Sequence, residues 1–234
     1  VLTRKEMLQD KKGNDSVLTL YLGVDTHPGY FSEIASEHFF YTPSKDGLSV
    51  AGNPPYGADR ETVLDWVRNY LIYTTYEISI PVLRDATMAP PGKTGLIIST
   101  LFDYEITRYI KEKGWYKEFS ALVEEVIAHT LQSSIYPRLL DKVVHKFISS
   151  PMTVARVAGK TDGAITGWAF TNHPVPAESR IPKIMNAIRT PIPDILQAGQ
   201  WSYSPSGFPT AVITGKIAAD EVIKSLGKIK KNRS

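Results

Sequence analysis

The sequence predicts an α+β fold in which a mainly antiparallel sheet is covered by helices. Three observations predict it. Short β-branched and aliphatic runs recur between turn signals, and two of them lie about a dozen residues apart, the spacing of an antiparallel pair. One long segment, Lys117 to about Ser134, carries an apolar stripe at helical spacing. A proline-rich connection then leads into a closing strand, loop and helix. The chain has 234 residues, 42% hydrophobic and 22% charged. A chain of this size hides roughly 70% of its unfolded surface, so it can bury a sizeable core.

The elements follow in order. Residues 1–15 are polar and read as a helical turn followed by a loop. Val17 to Val24, VLTLYLGV, reads as a strand. His38 to Tyr41, HFFY, is a second short strand, closed by the turn signal Pro43-Ser44-Lys45-Asp46-Gly47. Asp59 is placed to cap a helix from Arg60 to about Tyr70, with Val63, Leu64, Val67, Tyr70 and Leu71 at the 3–4 spacing. Thr74 to Val82 reads as extended. Ala89-Pro90-Pro91-Gly92-Lys93 makes a turn, and Leu96 to Phe102 a buried strand.

A short helix is predicted near Tyr104–Lys113, ended by Gly114. The long helix after it places Phe119, Leu122, Val123, Val126, Ile127 and Leu131 on one stripe, and Pro137 marks its end. Val143 to Ser149 is a strand. Ser150 then caps a short helix whose first turn takes Pro151. Gly163, Gly167, Trp168 and Phe170 suggest backbone that something approaches closely. Residues 174–194 hold five prolines and read as an extended connection. Ile195 to Trp201 reads as the last strand, and Pro209 to about Leu226 as the last helix.

Composition excludes several classes of function. There is no cysteine, hence no disulfide, thiolate metal site, iron–sulfur cluster or cysteine nucleophile. This fits a reducing compartment, and the expected location is the cytoplasm. The net charge of +3 is local, because five basic side chains from Lys224 onward face no acidic one. Without them, 22 basic and 24 acidic residues leave −2. No basic stripe with interleaved aromatics is present, so no nucleic-acid partner is expected. The basic end offers peripheral contact with an anionic membrane as a secondary expectation.

The longest apolar runs, such as Leu96-Ile97-Ile98, fall far short of the ~18 residues that span a bilayer. No secretory signal is read. Gly92-Lys93-Thr94 resembles the end of a P-loop, but Thr87 stands where the loop needs its first glycine. The five histidines (27, 38, 129, 145, 173) are scattered, and no metal site is expected. No G-x-S-x-G elbow surrounds Ser204 or Ser206.

The informative segment is 195–220. It reads as a strand with a glycine at its carboxyl end, a loop, and a helix opened by Gly207 and Pro209. Backbone N–H groups at such a helix start can meet an anion or a polarised carbonyl. Ala211, Gly215 and Ala219 recur every four residues and give the helix a smooth face. From the residues alone, an ordinary tightly packed strand–loop–helix is the favoured reading.

With Ala198-Gly199-Gln200-Trp201, then Pro205-Ser206-Gly207-Phe208-Pro209-Thr210-Ala211, then Gly215-Lys216-Ile217-Ala218-Ala219, the segment resembles the C-terminal flavin motif of FAD-dependent oxidoreductases. The branch it resembles is the phytoene desaturase and retinol saturase type, within the amine-oxidase-like group. The likeness continues upstream, in the family's order, through Leu18–Asp25, Ala89-Pro90-Pro91-Gly92-Lys93, Ser149-Ser150-Pro151-Met152-Thr153 and Gly163-Ala164-Ile165-Thr166-Gly167-Trp168. Ser206 departs from a common glycine, and Gln200 from a frequent acidic residue.

The resemblance implies a substrate-binding domain over 1–189. It implies the C-terminal strand and helix of the FAD-binding domain over 190–234. The family's N-terminal G-x-G-x-x-G fingerprint occurs nowhere in the sequence, and the chain begins with Val. The expectation is therefore a C-terminal part whose N-terminal FAD-binding half belongs to other polypeptide, with a homodimer through the exposed apolar face as an alternative.

The implied cofactor is FAD, weakly held or absent in this chain alone. Gly199, Gln200, Trp201, Gly207, Phe208, Pro209 and Thr210 are carried over as cofactor-binding positions. Trp168 and Phe170 are candidates to line a site for an apolar isoprenoid or polyene. Hydride transfer at a carbon needs no acid–base residue, and none is named. Two alternatives remain at this stage: a non-catalytic module binding an apolar ligand or a protein, and a fragment of a flavin amine oxidase.

Overall fold

In a computed structural model, the described residues are 13, 15–168, 184–203 and 207–231. They gather into two compact units, one of residues 16–157 and one joining the residues before Ser16 to those from Ala158 onward. The predicted start of the chain at residues 1–12, and Phe170, lie outside the described residues.

The first unit is built on a five-stranded antiparallel sheet with strands β1 (Ser16–Val24), β2 (His38–Tyr41), β3 (Tyr76–Ser79), β4 (Thr94–Phe102) and β5 (Val143–Ser149). Their spatial order is β2-β3-β4-β1-β5, and every pair is antiparallel. The helices are α1 (Pro28–Ser32), α2 (Arg60–Tyr73), α3 (Tyr104–Glu112), α4 (Tyr116–Ser134) and α5 (Pro151–Ala158). The predicted fold class holds, and β2, α2, α4 and β5 begin and end within a few residues of their predicted bounds.

Alternation explains the core. Leu18, Leu20, Leu22 and Val24 of β1 pack beside Leu96, Ile98 and Phe102 of β4, all at most 2% exposed. They meet Val63, Val67 and Leu71 of α2 and the whole predicted stripe of α4, which is buried. Burying each such side chain contributes about 1.5–3 kcal/mol. The long stretch predicted as extended after Thr74 is shorter than expected. β3 stops at Ser79 because Pro81, which has no N–H to give a ladder, opens a single 3-10 turn.

Caps set the helix ends. The Asp59 carboxylate accepts from Thr62 N at 3.0 Å, and the Thr62 hydrogen bonds hold that carboxyl below the usual carboxylate range. Asp103 accepts from Ile106 N at 2.7 Å and opens α3. Gly114, at φ +79°, ends it: Trp115 N reaches Ile110 O and Gly114 N reaches Lys111 O, both at 3.0 Å. Only a residue tolerant of the left-handed region closes a helix this way.

The face of the sheet opposite these helices is carried by a second set of alternating residues. Successive cross-strand pairs of β1 and β4 on it are Val17 with Leu101, Thr19 with Ser99, Tyr21 with Ile97, and Gly23 with Gly95. On it Leu101 and Phe147 stay about half exposed, while Thr19 is buried.

The second unit holds α6 (Ile184–Ala187) and α7 (Phe208–Lys231). The predicted final strand does not form. Leu196 makes a single antiparallel bridge with Arg189, and residues 199–201 already turn. A strand needs a neighbour along its length, and the described backbone bonds of this segment, Gln197 N to Ile188 O at 2.8 Å and Ile195 N to Ile192 O at 3.3 Å, return only to the few residues just before it.

Candidate functional site

The motif residues are brought together by a turn docked on the first turns of α7. Gly199 has φ +98°, a conformation glycine adopts without strain. Its carbonyl accepts from Ser202 N at 3.1 Å and from Ser202 Oγ at 2.6 Å, which closes the turn. Its N–H donates to Thr214 Oγ1 at 3.1 Å. Thr214 is fully buried in α7, and its hydroxyl lies 2.9 Å from Thr210 O and 3.0 Å from Ala211 O, to one of which it donates. One buried hydroxyl therefore ties residues 199–202 to the helix start.

The helix start is built from the other carried-over residues. Ala211 N donates to Gly207 O at 3.0 Å, the first bond of α7. Phe208 and Pro209 occupy its first two positions. Pro209 suits them because it has no N–H to leave unpaired, and Phe208 projects outward at 83% exposure. Gln200 and Thr210 are half-buried and bonded.

Trp201 sits at the back of the turn. Its carbonyl accepts from Trp168 Nε1 at 2.7 Å, and the two indoles meet edge to face with ring centres 4.9 Å apart. Gly13 pairs with Trp168, and a Cβ on Gly13 would lie 2.8 Å from the Ala164 Cβ, so only glycine fits there. Trp168, expected on the substrate side, is thus joined directly to the Gly199–Ser202 turn.

Sequence reasoning missed Thr214. Its signal was a polar β-branched residue inside an otherwise aliphatic helical run, just before Gly215. It also missed that α7 presents an apolar face away from Thr214. Phe208, Val212, Gly215, Ala219, Val222 and Leu226 share that face at 3–4 spacing. Val212, Val222 and Leu226 are about half exposed. Among the described residues, nothing would meet a Cβ on Gly215 within 4 Å, so no described neighbour requires its missing side chain. A glycine inside a helix costs about 1 kcal/mol relative to alanine.

Among the described residues, no three histidine, aspartate or glutamate side chains gather as a metal site, and no helix is long and apolar enough to cross a membrane. The fold and the turn thus define an α+β chain whose closing turn and helix are held as one piece.

The comparisons then place its relatives. No family model matches the chain. The chain is similar to two proteins of an Oncidium hybrid cultivar, prolycopene isomerase 1 and prolycopene isomerase 2, both chloroplastic. It is 28% identical to each over 170 residues, 71% of this chain and 27% of each relative. It is also similar to a chloroplastic prolycopene isomerase of Daucus carota, 27% identical over 99 residues, 42% of this chain and 16% of that protein. The chain spans about a quarter of the length of the first two relatives. The likeness is a distant relationship to carotenoid isomerases, in keeping with the resemblance read from the motif.

Proposed function

We propose that the chain is the C-terminal part of a FAD-dependent oxidoreductase of the phytoene dehydrogenase-like kind, acting on an apolar isoprenoid or polyene. The observation that carries this is the Thr214 hydroxyl, which joins the Gly199 turn to the start of α7 so that the two halves of the motif act as one surface. Three features support a flavin at this place. The turn has glycine at its left-handed position, the helix start presents Phe208 outward, and Gly215 leaves room that no described residue fills.

Bound FAD would supply hydride acceptance and donation. Gly199, Gln200 and Trp201 would orient the ring system from the turn, and Gly207, Phe208, Pro209 and Thr210 would line it from the helix start. Trp168 would hold Trp201 in place through its indole N–H. The apolar face of α7 would pack on the remaining FAD-binding polypeptide. Burying Val212, Val222 and Leu226 there would drive that association.

The names of the relatives favour a second reading of the reaction, isomerisation of a polyene without net oxidation. Carbon skeleton and cofactor site are the same in both readings, and product analysis separates them.

The test is the coding sequence upstream of Val1 and the polypeptide it specifies. A strand followed by G-x-G-x-x-G, and flavin absorbance at one per longer chain but not on the 234-residue chain alone, is the expected result. Stoichiometric flavin on the 234-residue chain, or none on the longer one, overturns the proposal.

A further inference from the structure

We infer that the first unit holds a site for a small monocarboxylate with an apolar body, set between α1 and the segment that leads from α4 into β5. The inference does not depend on the flavin reading above.

A cavity of about 170 Å³ lies there, walled by Tyr30, Phe31, Pro137 and Leu139. Phe31 and Leu139 are buried. Two hydrogen bonds tie the walls to each other. The Tyr30 hydroxyl donates to Pro137 O at 3.1 Å, and Asp25 N donates to Lys142 O at 2.8 Å. Phe31 is held edge to face between Tyr30 and Tyr136, with ring centres 5.1 Å from each. An apolar cavity of about 150 Å³ is enough to hold benzene. Size and walls therefore suit a body of one ring or a short branched chain.

The rim supplies the charge. Arg138 and Lys142 both line it. Arg138 Nε pairs with an Asp141 carboxylate oxygen at 3.2 Å, which leaves the two terminal guanidinium nitrogens without a partner among the described residues. Lys142 Nζ has no partner among them either. Asp25, just before the cavity, is answered by Lys93 at 3.0 Å. Arg138, Lys142 and Asp141 thus leave one net positive charge, which a single carboxylate neutralises. The free guanidinium nitrogens form a fork that a carboxylate meets with two parallel bonds.

The backbone points the same way. Arg138 has φ +64°, in the left-handed region that glycine occupies without strain and arginine does not. Its pair with Asp141 is exposed, at 80% and 58%, and such pairs contribute too little to offset that strain. A guanidinium used at the rim accounts for an arginine at this position.

Benzoate is the probe, titrated against the 234-residue chain and followed by calorimetry and by amide chemical shifts. One saturable site per chain is expected, in the millimolar range or tighter, with shifts at residues 26–31 and 137–142. Arg138→Gly removes the guanidinium and suits the left-handed backbone. It is expected to weaken binding about tenfold while the melting temperature stays equal or rises. Lys142→Gln is expected to weaken binding several-fold with the fold unchanged, and it carries the test if the glycine variant does not fold. Benzamide, the same shape without the charge, is expected to bind about tenfold more weakly than benzoate.

Equal benzoate binding by wild type and both variants overturns the site, and so does the absence of saturable binding. Shifts confined to other residues overturn its location. Benzamide as tight as benzoate overturns the carboxylate assignment.

Discussion

Thr214 shows how much one side chain organises. Its hydroxyl receives the Gly199 N–H and is itself held by the carbonyls of Thr210 and Ala211. Valine at that position keeps the volume and removes the acceptor, leaving the Gly199 N–H unpaired beside a buried site. Such a loss costs about 1–3 kcal/mol. Thr214→Val is therefore expected to lower the urea midpoint and to speed limited proteolysis within residues 199–203. Thr214→Ser is expected to restore both. Wild-type behaviour of the valine variant would remove Thr214 as the tie between turn and helix.

α4 is the element on which the first unit depends. Its stripe, from Phe119 to Leu131, lies under the sheet, and its other side shows Glu124 and Glu125 to solvent-facing partners. Those ion pairs, with Arg68 and Lys146, are partly exposed and contribute little, since surface pairs are worth about 0–1 kcal/mol. Packing dominates. Phe119 is fully buried and meets the rings of Phe102 and Tyr116. Phe119→Ala is expected to cost about 3–5 kcal/mol in chemical denaturation. Val157→Ala, at a position 75% exposed, is expected to stay within about 0.5 kcal/mol.

Across the whole molecule, α7 is the element whose surface is least at home in water. It has 24 residues, about 36 Å of helix. Ile223 and Leu226 near its end are 68% and 56% exposed. Contiguous apolar surface of this kind marks an interaction site. The isolated chain is expected to self-associate in sedimentation velocity at micromolar concentration. Ile223→Glu with Leu226→Glu is expected to shift it toward monomer. A wild-type chain that sediments as a monomer would show that this face does not drive association. The same double variant, placed in the longer polypeptide of the proposed function, is expected to lower its flavin content.

Local chemistry in the sequence determined most of the elements. The alternation of β1 and β4, the 3–4 stripe of α4, the Asp59 cap and the Gly114 stop each act within one turn or strand, so they are visible without a partner. The residues of the closing turn and helix start stand out in the sequence through their order along the chain. Only the tertiary structure decided that Ile195 to Trp201 would not become a strand, because a strand exists by virtue of a neighbour. It alone showed that Trp168 belongs with Trp201, and that Gly23 stands opposite Gly95. Register and long-range hydrogen bonding are set by the packing of distant segments, and no local pattern encodes them.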